Sequence, residues 1–352
     1  MEYNFKNKIG INNIQIGIDE PCYIIAEIGV NHNGDILLAK KLIDAAVDSG
    51  ANAVKFQKRS VTDLYRKEAL DDPNIESQGF EILLAELKEI ELSKEQYNEI
   101  IKYCIEKRIT FLCTAWDKAS VDFLETLDLP AYKISSGDMT NLPLIDYITK
   151  LKKPLIISTG MSTLEEIEKT VNFVKKTKVP FILLHANSTY PSPIESLNLS
   201  LISHYRSKFN VPIGFSDHES GVIGSITAVN LGAVIIERHI TLDKKMKGLD
   251  HSSSSEPKEF KEMIQLIRLS EKAVGKPIKK MTRAEVLQRE VVAKSLICSS
   301  NINKGDTFSK DNIEVKGPER GLSSQYFFDI IGQESSRNIQ KGEYLLKQDL
   351  TD

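Results

Sequence analysis

An α/β fold is predicted, an eight-stranded parallel β/α barrel followed by a small β-rich domain, and three observations predict it. Eight short β-rich runs each end in polar residues. Amphipathic helical stretches separate most of them. Beyond residue 290 the alternation stops and an internal repeat begins.

In chain order the eight runs are Tyr23–Gly29, Ala53–Gln57, Thr110–Thr114, Ala131–Gly137, Pro154–Gly160, Phe181–Asn187, Pro212–His218 and Ala233–His239. Between them lie stretches such as Ile36–Ser49, with apolar residues at three- and four-residue spacing. Thr163 and Glu166 have capping-box spacing ahead of EEIEKTVNFVKK. Strands alternating with helices pair in parallel through right-handed crossovers. Eight such units close a barrel, whereas an open doubly wound sheet usually stops at five or six strands. The insert Arg59–Glu91 reads as an active-site loop, and the helical stretch Pro257–Val274 completes the barrel.

The barrel domain is therefore set at 1–280, a charged linker at 281–289 and a second domain at 290–352. In that last part NINKGD (301–306) recurs as NIQKGE (338–343), Lys310 recurs as Lys347, and Ile313 as Leu350, all at one offset. Two copies of one turn-plus-strand unit imply a pseudo-symmetric β-rich module. At about 60 residues it buries only a modest core, so docking elsewhere would help hold it.

Composition narrows the function. A formal net charge of −3, with 27% charged residues, argues against nucleic acid as a partner, because phosphate binding needs a concentrated basic surface. No run approaches the roughly 18 apolar residues of a membrane span, and the start MEYNFKNKIGINN lacks a secretory signal's apolar run. The four cysteines are scattered and read as reduced, buried thiols of a cytoplasmic protein.

The chemistry lies at the carboxyl ends of the strands, where barrel enzymes keep their active sites. Every run delivers polar residues there: Glu27; Lys55 and Gln57; Thr114; Lys133, Ser136 and Asp138; Ser158 and Thr159; Asn187 and Ser188; Ser216 and His218; Glu237 and His239. A single solvated strand end is commonplace; a convergent ring from eight strands is not. His218 and His239 end neighbouring strands, with Glu27 next around the closure. Two histidines plus carboxylate or water oxygens suit a divalent ion with open positions. A lysine such as Lys55 or Lys133 there forms a Schiff base or holds a phosphate or carboxylate as a point charge. The surrounding hydroxyls favour a small dianion such as phosphoenolpyruvate. Several residues take blander readings: His32 orders the first βα loop and His185 is a satisfied core histidine. Trp116 lines the mouth or packs under a helix. Asp250, His251 and Glu256 flank a serine run that folds over the eighth strand.

The motifs AEIGVNHNG (26–34), KFQK (55–58), YKISSGD (132–138), ISTGM (157–161), GFSDH (214–218) and ERHIT (237–241) resemble the N-acetylneuraminate (sialic acid) synthase family in order and spacing. The tail is similar to that family's antifreeze-like (SAF, β-clip) domain, so the resemblance spans nearly the whole chain. It implies a TIM barrel that condenses phosphoenolpyruvate with an N-acylated hexose such as N-acetylmannosamine. The same reaction on the 6-phosphorylated sugar, or on a precursor of legionaminic or pseudaminic acid, is the alternative. It implies a divalent ion, manganese first and magnesium or cobalt otherwise, held by His218 and His239. The implied phosphoenolpyruvate pocket is Lys55, Thr114, Lys133, Ser136, Ser158, Ser188 and Ser216. Lys55 and Lys133 would stabilise charge, Glu27 would hold a water or sugar hydroxyl, and Asp138 would handle the attacking water's proton. Tyr190 and Asp250 are the implied sugar contacts. The family's sugar-reading arginine falls at Gly317, and Arg320, three residues on, is the substitute. A domain-swapped homodimer is implied as well.

Overall fold

The computed structural model describes residues 8–73, 76 and 80–351. The extreme N-terminus and part of the insert after the second run (74, 75 and 77–79) therefore lie outside the described residues. The chain divides into two compact units, the first ending at Gly275 and the second starting at Lys276.

The first unit is a closed barrel. A hairpin of β1 (Lys8–Ile11) and β2 (Ile14–Gly17) comes first. The staves follow: β3 (Tyr23–Gly29), β4 (Ala53–Lys58), β5 (Thr110–Ala115), β6 (Tyr132–Ile134), β7 (Leu155–Ser158), β8 (Phe181–Ala186), β9 (Ile213–Asp217) and β10 (Ile235–His239). They pair in parallel in chain order, and β10 closes on β3 with His239 opposite Glu27. All eight predicted runs are staves, most of them trimmed at their ends. The fourth is cut to three residues because Ser135 caps a 3₁₀ turn, Ser136–Asp138, that takes the chain out of the sheet.

Side chains alternate across each strand. Ile24, Ala26 and Ile28 belong to the core between strands and helices, whereas Tyr23 and Ile25 belong to the barrel's inner core. Six of the eight staves then change character at one level. Inner apolar Ile25, Ala53, Leu112, Ala131, Ile156 and Ile235 give way, two residues later, to Glu27, Lys55, Thr114, Lys133, Ser158 and Glu237. The apolar plug is thus the floor on which the polar ring stands. Gly214 permits the closure, since a Cβ there would come within 2.5 Å of Leu184 and 2.7 Å of the Ile235 carbonyl oxygen.

The hairpin was not predicted. Its Ile9, Ile11 and Ile16 join the inner core cluster, and Asn12 Nδ2 donates to Thr110 Oγ1 at 3.1 Å. Helix Ile36–Ser49 has the predicted bounds, with Asp35 capping one end and Gly50 (φ +90°) the other. The Thr163–Glu166 capping box is present, and helix Pro257–Val274 closes the unit.

In the second unit the predicted linker is a helix, Arg283–Val292, started by a capping box between Thr282 and Glu285. β11 (Ser295–Cys298) and β12 (Ile313–Lys316) pair antiparallel over a core of Leu296, Cys298, Ile302, Phe308, Ile313, Ile330, Ile339 and Leu345. The repeat folds about a local pseudo-twofold. Ile302 and Ile339 pair through both backbone bonds, Lys304 N donates to Asn338 Oδ1 at 2.7 Å, and Lys341 N to Asn301 Oδ1 at 2.9 Å. All four cysteines are free and buried, and burial pushes every thiol up. Among the described residues no helix is long and apolar enough to cross a membrane.

Candidate active site

The polar ring encloses a cavity of about 310 Å³ at the carboxyl ends of the staves. Its floor is a buried charge cluster. Lys55 Nζ lies 2.8 Å from Glu27 Oε2 and 3.7 Å from Glu237 Oε2, and donates to Thr114 Oγ1 at 2.9 Å. Lys133 Nζ donates to Ser158 Oγ at 2.7 Å and stands 3.8 Å from Glu237 Oε1, which accepts from Ser216 Oγ at 3.0 Å. Two ammonium groups and two carboxylates thus neutralise one another with little water present.

The two lysines respond differently. Burial works against charge on both, but two carboxylates outweigh it at Lys55 and hold that pKa up. Lys133 meets one carboxylate at longer range, and burial, aided by the neighbouring Lys55 charge, lowers it to about 8. Burial also pushes the Glu237 carboxyl up, but Lys133 and Lys55 together overcome this and hold it low. A charged Lys133 is therefore lost as pH climbs through about 8, and an anion that depends on it is bound less well above that pH. The KM of an anionic substrate held there, phosphoenolpyruvate as the family resemblance implies, should stay flat below pH 7.5 and rise steadily above 8.5; a KM that falls over this range contradicts a role for charged Lys133 in holding it. Stability carries the opposite sign. Between pH 8 and 10.5 the unfolded chain binds the extra proton, so this group's contribution to folding improves with pH.

Above the floor stand the two imidazoles, 5.7 Å apart between ring centroids and tilted by 50°. His218 Nδ1 donates to the Asn187 carbonyl at 2.7 Å. Burial, with the neighbouring His239 ring, lowers its pKa to about 4. The ring is neutral, its proton is on Nδ1, and Nε2 keeps a free lone pair. His239 Nδ1 is buried without a hydrogen-bond partner, 3.6 Å from Asp250 Oδ2. The Tyr190 ring lies 4.2 Å from His218 and edge-on to His239 at 6.0 Å. Gly29 (φ +56°) sits under this group, and a Cβ there would lie 3.3 Å from each of Glu27 Oε1, Gln57 Nε2 and His239 Cε1. The donor set, two imidazoles side by side, suits a divalent ion. No group of three or more His, Cys, Asp and Glu that could hold a metal occurs among the described residues, so water or substrate oxygens would complete the shell.

Glu27, Lys55, Thr114, Lys133, Ser136, Ser158, Ser188, Tyr190, Ser216, His218, His239 and Asp250 all line the cavity. Ser188 Oγ is buried with no partner, and Gly160 leaves it room: a Cβ there would come within 2.2 Å of it and 2.7 Å of Ser136 Oγ. Asp138 departs from expectation. Its carboxylate accepts from Ser135 Oγ at 2.9 Å and Asn141 Nδ2 at 3.0 Å, building the 3₁₀ turn instead of lining the cavity. Arg320 belongs to the second unit, where its backbone N–H donates to Ser295 Oγ at 2.8 Å. Thr159 Oγ1 is spent on the Leu184 carbonyl, and the Asn187 amide on Ser196.

His32 and His185 hold structure, accepting from Gly34 N and pairing with the Leu197 carbonyl respectively. The loop after β10 does fold back, Ser255 N donating to the His239 carbonyl at 2.9 Å. Trp116 lines the mouth, and so do two residues that carried no assigned role, Glu237 and Arg59. The inward alternation Lys55, Gln57, Arg59, continued past the strand end, was the signal for the last of these.

Comparison with known proteins fits this geometry. The NeuB family profile matches residues 42–279, and the SAF domain profile residues 293–351. N,N'-diacetyllegionaminic acid synthase of Campylobacter jejuni is 40% identical, over 92% of this chain and 98% of its own. Human N-acetylneuraminate-9-phosphate synthase is 36% identical, over 95% and 94%. The crystal structure of an N-acetylneuraminic acid synthetase from Leptospira borgpetersenii superposes with a TM-score of 0.73 at 33% identity, covering 80% of this chain and 94% of that one.

Proposed function

This chain belongs to the NeuB family, and from that premise we propose that it condenses phosphoenolpyruvate with the open-chain aldehyde of an N-acylated hexose. The observation that carries the reading is the pair of imidazoles on adjacent staves, standing over a lysine-bearing floor ringed with hydroxyls. N-acetylmannosamine is the sugar we put first, and N-acetylneuraminate the product.

Phosphoenolpyruvate sits on the floor. Lys55, Lys133 and the hydroxyls of Thr114, Ser136, Ser158, Ser188 and Ser216 take its charge, with the donors already in place before it binds. C3 of the enol attacks the aldehyde carbon, whose oxygen takes up a proton. Water adds at C2, releases a proton, and inorganic phosphate departs as the C–O bond breaks. Glu27 and Glu237, the carboxylates that line the floor, are the groups at hand to accept that proton. His218 and His239 would hold a divalent ion, manganese first, which when bound supplies Lewis acidity at the aldehyde oxygen. Tyr190 and Asp250 orient the sugar beside them. The proposal extends to a domain-swapped homodimer, each C-terminal domain bringing Arg320 to the partner's sugar site; similarity to the family supports it.

A second reading draws on one feature, the lowered Lys133 pKa, which an imine-forming pyruvate aldolase would also need. One experiment separates them. Phosphate release is followed with phosphoenolpyruvate and a panel of N-acetylmannosamine, its 6-phosphate, and the precursors of legionaminic and pseudaminic acids, while pyruvate plus borohydride is tested for a stable lysine adduct. The condensation reading predicts phosphate release with at least one sugar, loss of it on chelation, and no adduct. An adduct on Lys133 with no phosphate release would replace it.

A further inference from the structure

Arg59 is almost fully buried (8% exposed), lines the cavity, and among the described residues is the only lysine or arginine of its lining without a carboxylate ion pair. The floor is internally balanced, Lys55 and Lys133 against Glu27 and Glu237. Glu91, nearest in effect to Arg59, is committed to Lys58 at 2.7 Å, and Asp250 acts only from a distance. Among the described residues the guanidinium has a single side-chain hydrogen bond, to Gln57 Oε1, and it lies over the Trp116 ring, 5.0 Å from its centroid. Trp116 also lines the cavity, and its Nε1 is buried with no acceptor. A desolvated cation and an orphaned N–H together are costly unless a ligand oxygen meets them.

Both are held rigidly. Trp116 N donates to the Lys58 carbonyl at 3.1 Å, one backbone bond beyond the β4–β5 ladder, and Asp117 Oδ2 accepts from Ser60 N at 2.7 Å, which ties the two segments together. Their height decides what they meet. Arg59 lies four residues along from Lys55, just past the end of β4, roughly 13 Å along an extended backbone. The contacts Lys55–Glu27–Gln57–Arg59 climb from floor to rim in three steps. A three-carbon enol phosphate seated on Lys133 and Ser158 does not span that climb. The acceptor, with its aldehyde at the imidazoles and its chain running outward, does.

We propose that Arg59 and Trp116 bind the end of the acceptor sugar remote from its aldehyde, and that this end carries an anionic oxygen group, a phosphate ester. The inference rests on the condensation reading and, within it, puts an N-acylated hexose 6-phosphate ahead of the free sugar as acceptor. The guanidinium pairs with two phosphate oxygens and the indole N–H with a third or with the bridging oxygen.

The test compares wild type, Arg59→Gln, Arg59→Lys and Trp116→Phe, using phosphoenolpyruvate with one N-acylated hexose in free and 6-phosphorylated forms. Wild type should show an acceptor KM at least about tenfold lower for the phosphorylated sugar, the scale of one charge-assisted hydrogen bond. Arg59→Gln should erase that preference while moving the phosphoenolpyruvate KM less than about twofold; Arg59→Lys should recover part of it, and Trp116→Phe should lose part of it. Equal wild-type use of both sugars overturns the proposal, as does an Arg59→Gln defect that falls on phosphoenolpyruvate. Should no sugar release phosphate, the condensation reading fails separately. The Arg59 site is then read by calorimetry of the hexosamine 6-phosphate alone, where wild type should bind about tenfold more tightly than Arg59→Gln and equal binding refutes it.

Discussion

His218→Ala should lower turnover by roughly a thousandfold or more, the equivalent of several kcal/mol of lost Lewis-acid stabilisation, while the barrel stays folded. The ring is neutral, its Nδ1 proton is spent on the Asn187 carbonyl, and its remaining lone pair faces the cavity beside His239. Removing it frees one carbonyl and opens a polar pocket, which costs about 1–3 kcal/mol of stability and leaves a cooperative melt. Two measurements check this: the rate with saturating phosphoenolpyruvate and sugar, and the manganese affinity of the metal-free protein. Both should collapse together. A variant that binds manganese as wild type does and keeps a tenth of the rate would remove the histidine pair from the chemistry.

Lys55→Ala should damage both activity and folding. Lys55 is the shared counter-ion of Glu27 and Glu237, and all three side chains are almost wholly buried. Taking away one partner of such a cluster leaves carboxylates charged in a dry place, at about 3–5 kcal/mol. The consequence is a clear fall in Tm together with loss of phosphoenolpyruvate binding. Lys55→Met, which keeps the volume, does not restore either. Because the carboxylates can escape by taking up protons, the variant's melting temperature should recover partly as pH is lowered toward 5, opposite to the wild-type trend. Lysine removal with an unchanged Tm at pH 7 would show that the floor is not a mutually neutralised cluster.

Most of the barrel was legible because its strands announce themselves twice, by β-rich runs and by the polar residue that ends each inner face. The level at which Ile25 gives way to Glu27, or Ala53 to Lys55, recurs on stave after stave and marks the floor of the site. What stayed hidden had weaker or competing signals. The hairpin 8–17 is two four-residue strands around Asn12 and Asn13, and its alternation is too short to stand out; it exists because Ile9, Ile11 and Ile16 plug the barrel's amino end. The helix 283–292 has no buried face, so its sequence shows no period, and only the Thr282–Glu285 cap spoke for it. Asp138 sits one residue past the β-rich run Ala131–Gly137, where a catalytic carboxylate would stand, but Ser135 and Asn141 turn it into a local cap. Sequence position cannot tell a carboxylate aimed at a ligand from one aimed at its own turn. Arg59 is hidden for the converse reason: it lies beyond the β-rich run, at the start of the insert, although the inward alternation carries straight through it.

The most direct test of the central claim is a crystal grown with manganese and phosphoenolpyruvate together, with anomalous scattering used to locate the metal. The account predicts a single strong manganese peak bound by both His218 and His239, with phosphoenolpyruvate on the Lys55–Lys133 floor beneath it. A manganese peak that touches neither imidazole, or phosphoenolpyruvate bound away from those two lysines, would contradict it.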